Sequence, residues 1–283
     1  MTNAQDRREL VDQLAQGIMR LTSSEEWRRY LASQSRFHNY SFRNVVLIAA
    51  QCPQATRVAG FRAWQRLHRC VRKGERAIWI LAPLVRRRDD DEEGQARVWG
   101  FKWVPVFDIA QTEGDPVPAA NRLLSGDDPA GLYGRLVGVA RSLGFAVLEA
   151  PLPGGVNGDC SHAARRIRVE IRNAPAQRVK TLAHELAHAI LHEERGDRRL
   201  AELEAESTAY VVCRALGLDT GQYSFGYVAV WAQGGEEAVE AIRRCGERIQ
   251  QAAAVILVSL ETSGDSPAGP GAESGVLAGL EAA

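Results

Sequence analysis

At 283 residues the chain is long enough for two modest domains or one large one, with a buried core in either case. Hydrophobic and charged fractions of 45% and 25% exclude a disordered body, and no run of about 18 apolar residues offers a bilayer span. Net charge is zero but uneven: residues 20–88 hold fourteen Arg and one Lys against three Glu, a net of +12, whereas residues 121–283 hold sixteen basic and twenty-one acidic residues, a net of −5.

The basic stretch is interleaved with Trp27, Tyr30, Phe37, Tyr40, Phe42, Phe61 and Trp64. Solvated surface charge and a nucleic-acid surface both produce that composition, and composition alone leaves the two even. The start, Met1 to Arg20, is polar and lacks the apolar stretch and cleavage site of a signal peptide. Cys52, Cys70, Cys160, Cys213 and Cys245 are odd in number and never spaced as C-x-x-C, which argues against a disulfide framework or a cysteine zinc site. The expectation is a cytoplasmic protein with no membrane partner.

Along the chain, residues 5–33 place Leu10, Leu14, Ile18 and Leu21 at helical spacing, with a restart at Thr22-Ser23-Ser24-Glu25. Ser41 is expected to cap a helix running through Val45–Ala49 and ending before Pro53, and a short helix follows at Phe61–Leu67. Ala77–Val85 and Arg97–Ile109 read as strands joined by a charged hairpin loop, Arg86–Gly94. The polar stretch Gln111–Pro118 reads as a domain boundary. Beyond it come a helix at Asp128–Leu143 and short strands at Phe145–Glu149 and Arg166–Ile171, separated by the Gly-rich segment Pro151–Cys160. Three helices follow, at Val179–Glu194, Leu200–Leu216 and Gly235–Leu257, and Thr262–Ala283 reads as a disordered tail.

The first of those three helices carries the chemistry. His184 and His188 are four residues apart and project from one face, so both imidazoles can ligate one zinc, and Glu185 lies beside them to accept a proton from water. Leu182, Ala183, Leu186, Ala187, Ile190 and Leu191 would cover the buried side. A turn at Gly196-Asp197 would bring the next helix back antiparallel, returning residues 202–206 to the level of the histidines. Glu202 and Glu206 share a face, whereas Glu204 points about 200° away. Glu202 is therefore the expected third ligand and Glu206 the acceptor that orients a ligand histidine. Glu204 is the competitor and is expected in solvent. His192 continues the stripe as a surface or outer-shell group, and Tyr223 and Tyr227 could lend a hydroxyl to an oxyanion, although core packing suits either of them better.

The stretch 179–212, with His184-Glu185-Leu186-Ala187-His188 followed by Glu202-Leu203-Glu204-Ala205-Glu206-Ser207-Thr208-Ala209-Tyr210, resembles zinc metallopeptidases of the ImmA/IrrE type and gluzincins more widely. That resemblance favours Glu202 as the ligand. The first half resembles the single-stranded-DNA-binding domain of ArdC antirestriction proteins. The carrying residues are Tyr40-Ser41, Asn44, Leu47-Ile48, Gln51, Pro53, Gly60-Phe61, Trp64, Val71-Arg72-Lys73-Gly74-Glu75 and Val106-Phe107-Asp108-Ile109-x-Gln111-Thr112. It implies an α+β protein with an ArdC-like domain over 1–118, a zincin-like domain over 119–258 and a tail over 259–283. It also implies that Arg62, Arg66, Arg69, Arg72 and Lys73 neutralise phosphates while Tyr40, Phe61 or Trp64 stacks on bases, giving sequence-independent binding of single-stranded DNA. The implied cofactor is Zn2+, and the protein substrate is unidentified. Two other readings share these residues: a DNA-targeted protease that cleaves a repressor, and a non-catalytic DNA-binding protein with structural zinc.

Overall fold

A computed structural model of the chain describes residues 4–87, 96–117, 129–194, 196–218, 225, 228 and 235–262, with no side-chain account of 4, 6, 86–87, 96–97 and 129–130. Most of the expected hairpin loop, Tyr223, Tyr227 and the tail beyond Thr262 fall outside the described residues. The architecture is α+β, with helices and strands segregated along much of the chain. Among the described residues, no helix is long and apolar enough to cross a membrane. Among the described residues, contacts form two compact units, one from residues up to 18 and 39–117, the other from 19–38 and 129–262.

In the first unit, α1 (Ala4–Arg20) contributes its residues up to 18, and α3 (Phe42–Gln51) supplies much of the core. Ser41 caps α3 by accepting the amide of Asn44 at 3.4 Å, and Phe42, Val45, Val46, Leu47 and Ile48 are buried. Three strands, β1 (Val58–Ala59), β3 (Ile78–Arg87) and β4 (Ala96–Asp108), form an antiparallel sheet in the order β1-β4-β3. A short α4 (Phe61–Arg66) and the small pair β2 (Arg69–Val71) with β5 (Thr112–Gly114) complete the unit. Ile78, Ile80 and Val106 face the core.

Two motif residues acquire a physical role here. β3 ends its sheet, so part of its backbone lacks a strand partner. The Asn44 amide donates to Leu81 O and accepts from Leu81 N, both at 2.9 Å. Gln51, two turns on, makes the same pair with Trp79, again at 2.9 Å each. Two side-chain amides thus stand in for a neighbouring strand and close an edge that would otherwise invite pairing. Asn44→Ala, leaving two backbone groups of Leu81 unpaired next to the core, is expected to cost about 1–3 kcal/mol in urea unfolding. A loss indistinguishable from zero would show that water replaces the amide there. Buried Asp108 does similar work at the other end, accepting from Thr56 N (2.7 Å), Arg57 N (2.9 Å) and Ala110 N (3.0 Å).

The second unit is built on the sheet β6-β8-β7, in which β6 (Ala146–Ala150) runs parallel to β8 (Arg166–Glu170), and β7 (Gly158–Ser161) runs antiparallel to it. Helices α5 (Pro129–Ser142) and α6 (Pro175–Leu191) pack on this sheet, α7 (Arg198–Ala215) packs on α6, and α8 (Glu236–Thr262) packs on all three helices. Strand β7 occupies the end of the stretch read from sequence as a Gly-rich spacer. Gly-Asp-Cys-Ser has little intrinsic strand preference, and it is the ladder to β8 that makes it a strand.

This unit also holds α2 (Ser24–Arg36), capped by Ser23, whose side chain accepts from Glu26 N at 3.2 Å. Trp27 and Leu31 are fully buried, α2 packs on α7, and Trp27 Nε1 donates to Ser207 Oγ at 3.0 Å. A division at residue 118 is contiguous along the chain, whereas the compact units are not. Residues 19–38 leave their sequence neighbours because the apolar face of α2 is buried against α7.

Candidate functional site

Helix α6 places the motif residues. Pro175 occupies its first turn, where the missing amide costs nothing. Val179, Leu182, Ala183, Leu186 and Ala187 are fully buried and hold one side against the unit, so the opposite side of the helix presents His184 and His188. Asp197 caps α7 by accepting Arg199 N at 2.8 Å, which starts that helix earlier than the sequence reading and returns it alongside α6.

Glu202 then faces both histidines. His184 Nε2 and His188 Nε2 are 3.1 Å apart, and the Glu202 carboxylate is 3.5 Å from the first and 3.8 Å from the second. One ligand atom from each of the three lies within 4.8 Å of the others. Tetrahedral zinc with bonds near 2.0–2.1 Å spaces neighbouring donors about 3.3 Å apart, so this donor set fits such an ion with little movement. Glu202 is the exposed member, its side chain 53% accessible.

Behind the donors, each imidazole is held through its other nitrogen. His184 Nδ1 is 3.3 Å from Glu206, which is in turn 3.0 Å from Lys180 Nζ. His188 Nδ1 is 2.9 Å from His192 Nδ1, and His192 Nε2 is 2.8 Å from Glu204. Arg248 of α8 donates its Nε to both Glu204 oxygens, at 2.9 and 3.0 Å, and a terminal nitrogen to Leu191 O at 2.6 Å. One set of tautomers satisfies the chain: His188 Nδ1–H donates to His192 Nδ1, and His192 Nε2–H donates to the carboxylate. Both Nε2 lone pairs of His184 and His188 then face the cation position.

Glu204 is therefore not the solvated residue expected from its angle on the helix. It is 2% exposed because the side of α7 opposite Glu202 packs on α8, and its charge is matched there by Arg248. His192, at the end of α6, is an inner member of the same network.

The charges around the donors are strongly coupled. Burial disfavours a charged His184 ring, but Glu202 and Glu206 outweigh it and raise its pKa to about 9. Burial, with His184 and His192 alongside, holds His188 well below the usual range. Glu185 is itself buried, and desolvation pushes its carboxyl up to about 7 despite His184, with Asp159 and Glu202 adding to the rise. Strand β7 lies against this carboxylate: a Cβ at Gly158 would come within 2.9 Å of Glu185 Oε1 and 2.6 Å of Thr181 Cγ2. Only glycine lets the strand backbone approach so closely. Gly158 and Arg248 carry no local signal that marks them as partners of the site, and Glu204 enters the sequence reading only as a rival ligand expected in solvent. The capacity of His192 to continue the His184–His188 stripe was the one available signal.

The residues expected on DNA separate into two groups. Arg62, Arg66 and Lys73 are exposed, and Arg62, Gln65 and Arg66 line a shallow depression of about 620 Å³. Arg69 and Arg72 are engaged within the unit. Arg69 donates to Thr112 Oγ1 (2.8 Å), Thr112 O and Gly114 O (3.1 Å each) and Asp115 O. Arg72, although exposed, bonds Glu75 (2.7 Å) and Ala110 O (2.6 Å). Tyr40 is half-buried and donates its hydroxyl to Val58 O at 2.9 Å. Trp64 must be corrected as a stacking candidate: it is 0% exposed, with Nε1 donating to Phe107 O at 2.9 Å, so it offers no ring face to a base. Phe61 is exposed.

Residues 5–107 match the family model of the N-terminal domain of anti-restriction factor ArdC, and residues 140–213 match a peptidase-family model, the IrrE N-terminal-like domain. The chain joins an ArdC-type N-terminal domain to an IrrE-like domain. The IrrE-like match contains every donor described above and both carboxylates behind them, but ends before α8 and Arg248. An uncharacterized protein of Bacillus anthracis is 26% identical over 290 aligned residues, covering 83% of this chain. The chain spans about half the length of that relative, 48%. Crystal structures of the antirestriction protein ArdC from the R388 plasmid are 21% identical over 78% of this chain. The metal-free form has a TM-score of 0.47 and is covered to 85% of its length; the Mn(II)-bound form has 0.48 and 89%.

Proposed function

We propose that the IrrE-like domain carries a zinc-dependent peptidase site and that the ArdC-type domain binds single-stranded DNA without sequence preference, the whole acting as an antirestriction protein in the cytoplasm. The observation that carries the peptidase reading is the cluster of His184, His188 and Glu202 with buried Glu185 beside it. Three donors among the described residues suit a catalytic rather than a structural ion, since a catalytic site keeps one position open. When bound, zinc supplies Lewis acidity, lowering the pKa of water to about 7 and polarising a carbonyl.

The protein side of the reaction falls to Glu185. A carboxyl near pH 7 is poised to take a proton from attacking water at one oxygen and to return it to the departing amine. Glu206 and the His192–Glu204 pair hold the two imidazoles in orientation throughout. Gly158 keeps a side chain away from the carboxylate, leaving the β7 backbone alongside it.

The DNA reading rests on the exposed basic residues Arg62, Arg66 and Lys73, and on the ArdC-type match over residues 5–107. The test is one preparation and two assays. Apoprotein reconstituted with Zn2+, and in parallel with Mn2+, should take up the ion stoichiometrically and hydrolyse a quenched-fluorescent peptide mixture, and a chelator should abolish this. Anisotropy of a labelled single-stranded oligonucleotide should rise with the protein in both forms, weakening steeply with salt. Absence of metal uptake overturns the first half, and absence of oligonucleotide binding at low salt overturns the second.

A further inference from the structure

The β3–β4 hairpin has two faces of unexpected character. Directly opposed residues of an antiparallel pair point to the same side. Ile78 opposite Val106 and Ile80 opposite Val104 define the side that meets the core. The other side carries Trp79 opposite Pro105, Leu81 opposite Trp103, and Pro83 opposite Phe101. At the next step the register shifts: Leu84 pairs with Gly100 but Val85 with Val98, so Trp99 is the extra residue of a bulge. Trp99 is 68% exposed and Phe101 55%. An outward sheet face is ordinarily polar, and large aromatics displayed there mark a binding surface.

Charge indicates the occupant. Residues 78–87 and 96–107 contain Arg86, Arg87, Arg97 and Lys102 and no acidic residue; the acidic run 89–93 is confined to the connection. Phe101 and Trp103 follow one another at two-residue spacing along one strand, a step of about 6.8 Å, and the bulge carries Trp99 beyond them. Aromatic rings on a basic strand pair suit bases that are already unstacked, because every base has a face to offer; Lys102, opposite Ala82, stands on the other side of the ribbon, so the pair's positive charge draws the phosphate backbone without a cation beside each ring. A duplex keeps those faces covered.

We propose that the Trp99–Phe101–Trp103 face of the hairpin is a stacking platform for the bases of single-stranded DNA. It rests on the DNA-binding reading above and locates that binding on residues other than Tyr40 and Trp64.

The test uses the full chain, a labelled oligo-dT and an abasic oligonucleotide of equal length and charge. Wild type should bind oligo-dT more tightly than the abasic strand. Trp99→Ala and Phe101→Ala should each weaken oligo-dT binding roughly 5- to 150-fold while leaving the abasic affinity unchanged. Trp99→Phe should retain most of the affinity, and unfolding midpoints should not move, since both side chains are exposed. If wild type binds the two strands equally, phosphate contacts suffice and the platform is overturned while DNA binding stands. If it binds neither, the DNA reading fails as well. A wild-type dimer that Trp99→Ala converts to monomer, with oligo-dT affinity unaltered, would make the face an interface between copies and overturn the platform.

Discussion

Glu185→Gln is expected to slow peptide hydrolysis by the zinc-loaded protein roughly 100- to 10,000-fold, the range general-base catalysis contributes, with metal content unchanged. Glutamine fills the same volume beside Gly158 and cannot accept a proton. Because Glu185 is buried and desolvation already favours its neutral form, the substitution removes a carboxylate that burial disfavours and should leave the unfolding midpoint equal or higher. Activity and stability should therefore part company, which distinguishes loss of a proton acceptor from loss of structure. Metal analysis and peptide cleavage on one preparation decide it. A variant that keeps the wild-type rate removes Glu185 from the chemistry and leaves the ion a structural role.

His192→Ala is expected to weaken zinc affinity about 10- to 100-fold, the usual cost of losing a partner behind a ligand histidine. His192 does not touch the cation position; it holds His188 from behind at 2.9 Å and is itself held by Glu204. The side-chain oxygen of asparagine can take the place of His192 Nδ1, so His192→Asn should recover much of the affinity. Glu204→Gln should lose a similar amount, and the double variant should be little worse than either single one, because the two residues act through the same ring. Competition with a chromophoric chelator reads all four proteins, and the Co2+ absorption spectrum reports whether the ligand geometry has changed. Full affinity in folded His192→Ala would show that His188 keeps its orientation without help.

The contrast among the carboxylates of α7 shows how far periodicity reaches. Helical geometry puts Glu202 and Glu206 on one side and Glu204 on the other, and the structure places them so, with Glu202 against the two donor nitrogens and Glu206 behind His184. Periodicity supplies a direction but no neighbour. What lies in Glu204's direction is Arg248, 44 residues later, and that alone turns an apparently solvated residue into a buried one. The tryptophans make the same point. Trp64 and Trp99 are alike in composition and both stand in the basic half, yet one fills the core and the other projects from a bulge.

What the sequence by itself determined is whatever depends on a few consecutive residues: the stretch of α6 bearing His184, Glu185 and His188, the return of α7, the cap at Ser41 and the helix restart at Ser23. These follow from the helical repeat and from side chains bonding to amides one turn away. Only the tertiary structure decided that Gly158–Ser161 is a strand against Glu185, that α2 packs with α7, that Asn44 and Gln51 close the edge of β3, and which aromatics face water. Each of those depends on partners distant along the chain. Burial and ladder pairing belong to the assembled surfaces, and no local window contains them.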